Sequence, residues 1–369
     1  DTSLLCDVTV LDSNIGAEYG RFKGGVVKAN TCAPTRKLSG QVSVESTRSS
    51  WMQYKLNDSQ KESATTSTTA ALQPEFEKWT YRAALQGKVT ENFSLIGSFI
   101  RKTSDIPLNG YGNRLQSESD ANRKVQKRGS DNAFVRGFWT IGPGVLADFS
   151  LMHAPASGDY FIANAKNSTY HLKSGGTGVN LGLTHPVGLL GNAKAEHRLS
   201  WNKMDSSRDA DASVWKAWRY SSGKNWGVKT GTGATGWASN EGGWGDVDQE
   251  QENIAYQGKL KWEPLDLLGM SHTFEAGVEL DYQRSSYVRH TQYEQYQASL
   301  NTNTCNMPGG AVDTQYCSLA TPWNAASNVR GQYLAQRIIY YAGAYELNNK
   351  MRGAFLQDDV RLGDVRLRL

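Results

Sequence analysis

Few residues of this 369-residue chain stand at spacings that make or break bonds. Its six histidines are dispersed and form no His-Glu-x-x-His, so a catalytic zinc has no basis. His153, His171 and His290 fall near expected strand–loop borders, the places where a single histidine could meet haem or a metal ion. Gly231-Thr232-Gly233-Ala234-Thr235-Gly236 matches the dinucleotide fingerprint letter for letter. That fingerprint works only between a strand and a helix. The next seven residues, Trp237-Ala238-Ser239-Asn240-Glu241-Gly242-Gly243, read as no helix. The expectation is a chain with no cofactor, no resident metal and no enzymatic activity. Four cysteines occur without a Cys-x-x-Cys. An even count in an exported β-protein reads as two local disulfides, Cys6–Cys32 and Cys305–Cys317. The other reading is four free thiols.

The residues suited to binding are more numerous. The stretch 207–249 carries Trp215, Trp218, Arg219, Tyr220, Trp226, Trp237 and Trp244. Rigid aromatics lose little rotamer entropy on contact, so this set suits a ligand surface. It suits equally an interfacial belt or a loop packed on itself. A second set, Tyr287, His290, Tyr293, Tyr296, Trp323, Tyr333, Tyr340 and Tyr341, reads chiefly as belt. Net charge is +4, with both signs interspersed, and nothing resembles a nucleic-acid footprint.

The elements that must position these residues are strands. From Asn253 to Gln283 the chain reads as a hairpin. Ile254, Tyr256, Gly258, Leu260 and Trp262 alternate with Ala255, Gln257, Lys259 and Lys261. Past the turn 263–269, Phe274, Ala276, Val278, Leu280 and Tyr282 alternate with Glu275, Gly277, Glu279, Asp281 and Gln283. Side chains of a strand point to opposite faces in turn, so one face of this ribbon is apolar and the other charged. The same rhythm recurs over about 39–51, 78–87, 93–104, 131–140, 145–153, 179–184 and 193–201. A further strand ends at Leu362, and another begins after Gly363-Asp364. Short turns alternate strictly with long loops. That asymmetry, and arms of roughly nine to eleven residues, fit a transmembrane β-barrel. A mean hydropathy of −0.56 does not oppose this, because every second barrel residue is polar. In such a barrel Arg82, Lys194, Arg198, Lys259, Lys261, Glu275, Glu279 and Asp281 point into the lumen, with Lys259 and Lys261 across from Glu275 and Glu279.

Residues 1–38 differ. Val8-Thr9-Val10-Leu11, then Tyr19-Gly20-Arg21-Phe22-Lys23-Gly24-Gly25-Val26-Val27, read as compact α/β material with a glycine turn. With Val8–Ser13 before it, the Tyr19–Val27 phrase resembles the last part of the plug domain of TonB-dependent outer-membrane receptors. The phrase Ala354-Phe355-Leu356-Gln357-Asp358-Asp359-Val360-Arg361-Leu362-Gly363 is similar to a mid-barrel strand of that family. The resemblance covers the whole chain and implies a division at residue 38: the end of an α/β plug over 1–38, then the N-terminal half of an antiparallel up-and-down barrel over 39–369. It departs from the family in extent, since the TonB box, the rest of the plug and the later strands are not in this sequence. The chain reads as cut at both ends, with no signal peptide, and a second chain or further residues are expected to complete the barrel.

The resemblance implies energy-coupled uptake of a scarce ligand across the bacterial outer membrane, most commonly an iron–siderophore or related metal chelate. TonB acts from the periplasm, and outer-membrane lipid surrounds the barrel. Two other classes stand beside it: a passive porin-like channel and a soluble carbohydrate-binding β-domain.

Overall fold

The computed structural model describes residues 5–12, 15–19, 24–53, 55–65, 67–71, 75–111, 123–189, 191–219, 224, 226, 228–229, 237–298, 317–318 and 332–369. Strands β1 (Asp7–Leu11) and β2 (Val26–Asn30) form a separate antiparallel ribbon, paired from Asp7 with Asn30 to Leu11 with Val26. A Cys6–Cys32 disulfide closes it, with Cα atoms 5.8 Å apart. The expected Cys305–Cys317 bridge lies outside the described residues, as do Gly20 of the glycine turn and the Gly231–Gly236 phrase.

The rest of the chain is one long meander with inserts. In order come β3 (Ser39–Arg48), helix α1 (Asp58–Thr65), β4 (Glu77–Lys88), β5 (Phe93–Asn109), β6 (Arg123–Gly142), β7 (Val145–Phe161), β8 (Ala165–Lys166), β9 (Thr169–Gly188) and β10 (Asn192–Ala210). Next are β11 (Val214–Arg219), β12 (Val228–Lys229), β13 (Trp237–Gly242), β14 (Asp248–Trp262), β15 (Leu265–Leu267) and β16 (Met270–Arg289). The last are β17 (Tyr293–Ala298), β18 (Cys317–Ser318), β19 (Gln332–Tyr340), β20 (Gly343–Leu362) and β21 (Val365–Arg368). The main sheet runs β3-β4-β5-β6-β7-β9-β10-β14-β16-β20-β21, with β15 alongside β16, and every pairing in it is antiparallel.

The alternation of the hairpin sets its register. Lys261 pairs with Glu275, Gln257 with Glu279 and Tyr256 with Leu280. A tight turn, with Leu268 and Gly269 both at positive φ (54° and 78°), helps reverse the chain. The short connections 89–92, 143–144, 189–191, 263–269 and 363–364 gather at one end of the sheet, and the long ones at the other. The apolar face is exposed along its whole width. Val44, Tyr81, Phe99, Trp139, Leu151, Leu181, Leu199, Ile254, Leu280 and Leu356, one from each successive strand, are all exposed. An apolar surface of that extent must be covered by something other than water.

The strands are longer than their alternation suggests. β6, β9, β16 and β20 each have 20 residues, about twice what a tilted strand needs to cross a bilayer. The loop expected over 154–169 is mostly strand: 154–161 continue β7, and β9 starts at Thr169, ten residues before Val179. Residues 154–161 and 169–178 carry Pro155, Gly158, Gly175 and Gly176 and show no apolar period. Backbone pairing with neighbours on both sides holds them without it.

At the long-loop end the inserts form a second sheet, ordered β12-β13-β11-β17-β19-β18 with β8 beside β13. The β11–β17 and β8–β13 pairings are parallel and join inserts far apart in sequence. Among its described residues the stretch 207–249 is therefore largely strand, as are parts of 288–345. Among the described residues no helix is long and apolar enough to cross a membrane, which says nothing of a barrel.

Candidate functional site

The eight charged residues expected in a lumen all share the face opposite the apolar one, as the pairing parity requires. Residues beside the N-terminal ribbon bond to that face, while the ribbon's own Val8, Val10 and Val27 stay exposed. The Ala17 amide donates to Gln357 Oε1 at 2.9 Å, and Lys259 Nζ reaches Glu18 Oε2 at 3.0 Å. Arg136 Nη1 donates to Thr31 Oγ1 at 2.6 Å, and the Ser94 hydroxyl donates to the Pro34 carbonyl at 2.9 Å. Lys259 differs from expectation. It stands opposite Gly277, and its carboxylate partners are Glu18 and, at 3.6 Å, Glu196. Lys261 does bond Glu275. Lys194 pairs with Glu196, Arg82 with Glu45, and Asp281 accepts from Asn253. Glu279 faces Gln257. Arg198 and Arg136 clamp Asp148 from two sides, each at 3.0 Å. Gly182 sits between Asp148 and Arg198. A Cβ there would run into both the carboxylate and the guanidinium, so glycine leaves the space this ion pair occupies. Lys28 Nζ lies 4.5 Å from the centre of the Tyr19 ring, and Gly24 takes φ 94°, as a turn glycine can.

Nearer the long loops the same face changes character. Arg128 lies over Tyr160 at 5.5 Å, and Tyr160 stacks on Tyr170 at 5.6 Å. Tyr170 meets Trp244 at 5.3 Å, and Arg208 lies 5.6 Å over the Trp244 ring. Arg208 and Arg289 both donate to the Trp244 carbonyl, at 3.1 and 3.4 Å. Arg289 also bonds the Tyr287 hydroxyl and covers Tyr293. The result is an arc of three guanidiniums interleaved with aromatic rings. Among the described residues none of the three has a carboxylate within ion-pair distance. Burial and the neighbouring Arg289 pull the Arg208 pKa down, as expected where two cations converge without an anion. Burial raises the Tyr170 hydroxyl, and Arg208 opposes that shift. An anion with flat, apolar faces complements this arc.

The tryptophans expected as a ligand surface divide. Trp218 is 1% exposed and Trp226 is buried. Trp218 Nε1 donates to Glu241 and Trp226 Nε1 to the Asn240 carbonyl, while Lys224 covers both rings. They form the core of the second sheet, which is the self-packing alternative. Burial lowers the Lys224 pKa, with Lys216 and Lys166 adding to the effect and Glu241 opposing it. Trp215 is half-buried opposite Gly242, and Trp244 is 40% exposed within the arc. Tyr220 and the side chains of Arg219 and Trp237 lie outside the described residues. The three singled-out histidines do not meet: His153 bonds Thr177, His171 bonds Asp159, and His290 bonds Asp248. Pattern reading missed Arg128, Tyr160, Tyr170, Arg208 and Arg289. The available signal was the concentration of Arg and Tyr at successive strand ends.

One ion pair holds the second sheet to a pH window. Arg337, then Tyr296, bond Glu294 and bring its carboxyl down to about 2. A carboxylate depressed on folding stabilises fully above its ordinary pKa and loses that contribution as pH falls through the folded value. The β17–β19 ribbon is therefore expected to resist pepsin down to about pH 4.5 and to open progressively towards pH 2. Arg337→Ala removes the largest cause of that depression, so it is expected to loosen the ribbon already at neutral pH and to flatten its pH dependence between about 4.5 and 2.

Comparison with known proteins agrees with this geometry. No protein-family model matches the chain. The crystal structure of the outer-membrane transporter YddB from Escherichia coli superposes with a TM-score of 0.70 at 21% identity, over 99% of this chain and 42% of that one. The uncharacterised protein YddB of Escherichia coli K12 is 24% identical over 301 residues, which is 80% of this chain and 36% of the relative. A ferric enterobactin receptor of Pseudomonas aeruginosa gives a TM-score of 0.49 at 12% identity, over 98% of this chain and 42% of that one. This chain thus spans about two fifths of the length of the proteins it matches. Its fold is that of the barrel of the outer-membrane transporter YddB.

A barrel of this fold in a bilayer has a sharp consequence. Val278 lies on the exposed apolar face, and its neighbour Glu279 on the charged one. Val278→Arg is expected to cost about 2–4 kcal/mol of folding stability in vesicles, as cations on the lipid face do. Glu279→Ala is expected to change it by less than about 1 kcal/mol. Reversible urea unfolding from lipid vesicles measures both.

Proposed function

We propose that residues 1–38 are the end of a plug and residues 39–369 the N-terminal half of the barrel of a TonB-dependent transporter, which takes up a scarce anionic metal chelate, most commonly an iron–siderophore. The observation that carries this reading is the joint placement of two features on one face. The segments on either side of strand β2 in the disulfide-closed N-terminal ribbon are bonded to the charged wall, through Glu18, Ala17, Thr31 and Pro34. Above it stands the arginine–aromatic arc, open to an anion. A passive channel has no use for a ribbon bonded across its lumen.

In this reading the loops and the arc capture the ligand, TonB displaces the plug from the periplasmic side, and further strands close the barrel. Binding acts only through its different affinity for the docked and displaced states. No bond is made or broken. Lys224 and Lys166, set over the Trp218 and Trp226 rings, add positive potential in the second sheet, where it steers an anion towards the arc. The test is growth of a deletion strain on a panel of iron and nickel chelates, haem and vitamins, with and without the gene. Gene-dependent growth on anionic iron chelates that is lost in a TonB-deficient strain supports the proposal. Uptake that persists without TonB contradicts it.

A further inference from the structure

Sequence spacing brings no histidines together, but strand pairing brings two. On the lipid-facing side His185 of β9 and His197 of β10 lie diagonally across the ladder, and Tyr256 of β14 stands beyond His197. The two imidazole rings stack at 5.3 Å with planes 12° apart, and their Nε2 atoms converge to 3.2 Å. The outer nitrogen of each ring has its own partner. His185 Nδ1 meets the Pro186 carbonyl at 3.2 Å, and His197 Nδ1 meets the Tyr256 hydroxyl at 2.9 Å.

A carbonyl only accepts, so His185 carries its proton on Nδ1 and presents a bare Nε2. The Tyr256 oxygen can accept as well as donate, which lets His197 do the same. Ligating histidines have this second contact almost without exception, because it fixes both tautomer and ring direction. An ion at the usual zinc–imidazole distance of about 2.0–2.1 Å from both nitrogens would see them at an angle of roughly 100°, close to tetrahedral. The adjacent strands hold both rings, so little reorganisation is needed.

The position supports the same reading. Ionisable groups facing hydrocarbon are costly and tend to mark function. His185 lies three residues from Gly188, where β9 ends at the short turns. Nearby Trp262, opposite Ala193, donates to the Leu189 carbonyl at 2.9 Å, as an interfacial tryptophan does. The pair is thus within reach of the periplasmic water boundary, where an ion can enter and water or a lipid phosphate oxygen can fill its other positions.

We infer that His185 and His197 form a two-imidazole site for a divalent transition-metal ion of the zinc, nickel or copper type, clipping β9 to β10 on the outer face of the barrel. The site is separate from the arc and does not depend on what the transporter carries.

The experiment uses the full-length protein in detergent micelles at pH 7.5, with zinc bound by equilibrium dialysis and copper followed by electron paramagnetic resonance. One equivalent of zinc at low micromolar concentration is expected, weakened at least about tenfold in His185→Gln and in His197→Gln and unchanged in His153→Gln, with imidazole the ligand type lost. Copper is expected to show two nitrogen ligands in the unchanged protein and one or none in the variants. Zinc should raise the thermal midpoint of the unchanged protein alone, because binding only the folded state stabilises it. A heat-shift gel establishes that each variant is folded, and the copper spectrum of the unchanged protein needs no variant. A copper spectrum without two nitrogens, or zinc binding equal in folded His185→Gln and His197→Gln, overturns the inference and leaves the pair as a neutral hydrogen-bonded clip.

Discussion

Cells whose only copy of the transporter carries Arg208→Glu with Arg289→Glu are expected to bind an anionic iron chelate at least about 100-fold more weakly than cells with the unchanged protein. The two guanidiniums converge on the Trp244 carbonyl and have no carboxylate partner among the described residues. Each hydrogen bond from such a group to a charged ligand contributes about 1.5–3 kcal/mol, and about 1.4 kcal/mol is a factor of ten. Replacing both cations by anions removes the attraction and adds repulsion. Trp244→Ala removes only a flat face and is expected to weaken binding by about tenfold. Whole-cell binding of a labelled chelate measures both, with surface abundance of the receptor as the control. Binding that survives the double reversal would separate the arc from ligand capture.

Lys259→Glu is expected to release residues 15–19 from the barrel wall. Lys259 is the cation that Glu18 and Glu196 share, and Glu275 lies close by on the same face. Reversal would place four carboxylates there. Like charges forced together cost several kcal/mol, so a docking loss of about 3 kcal/mol is expected. Hydrogen exchange of the Ala17–Tyr19 amides should rise by about 100-fold, since about 1.4 kcal/mol is a factor of ten in the opened population. Adding Glu18→Lys restores an opposite-charge pair and is expected to return most of the protection. Exchange that stays slow in the single variant would show that the ribbon is held elsewhere, by Thr31 and Pro34.

Much of this architecture is legible in the residue pattern, and the reason is the exposed apolar face. Where a strand crosses the membrane one face must be apolar, so Ile254–Trp262 and Phe274–Tyr282 announce both strand and register, down to Lys261 beside Glu275. The disulfide at Cys6 and Cys32 reads from an even cysteine count. Above the membrane that rule lapses. Residues 154–161 and 169–178 are held by backbone pairing and keep no period, so Tyr160 reads as loop and Tyr170 falls outside any legible strand. Arg208 sits at the end of β10 where the alternation has already faded. The pattern offers Lys259 to Glu275 or Glu279, because cross-strand partners are readable. Its partner Glu18 is 241 residues away, and no local pattern carries such a contact. Trp218 and Trp226 have the composition of a binding surface and the burial of a core. Only the second sheet, built from parallel pairs between distant inserts, distinguishes the two. His185 and His197 are twelve residues apart, and the strand pairing alone makes them neighbours.

The most direct test of the account is a salt series of ligand binding to the full-length receptor, read by quenching of tryptophan fluorescence. Two iron chelates of similar size would be compared, one trianionic with aromatic arms and one neutral. The arginine–aromatic arc predicts tight binding of the anion, weakening steadily as ionic strength rises, and binding of the neutral chelate at least about tenfold weaker with little salt dependence. Equal affinity for the two, unmoved by salt, would contradict it.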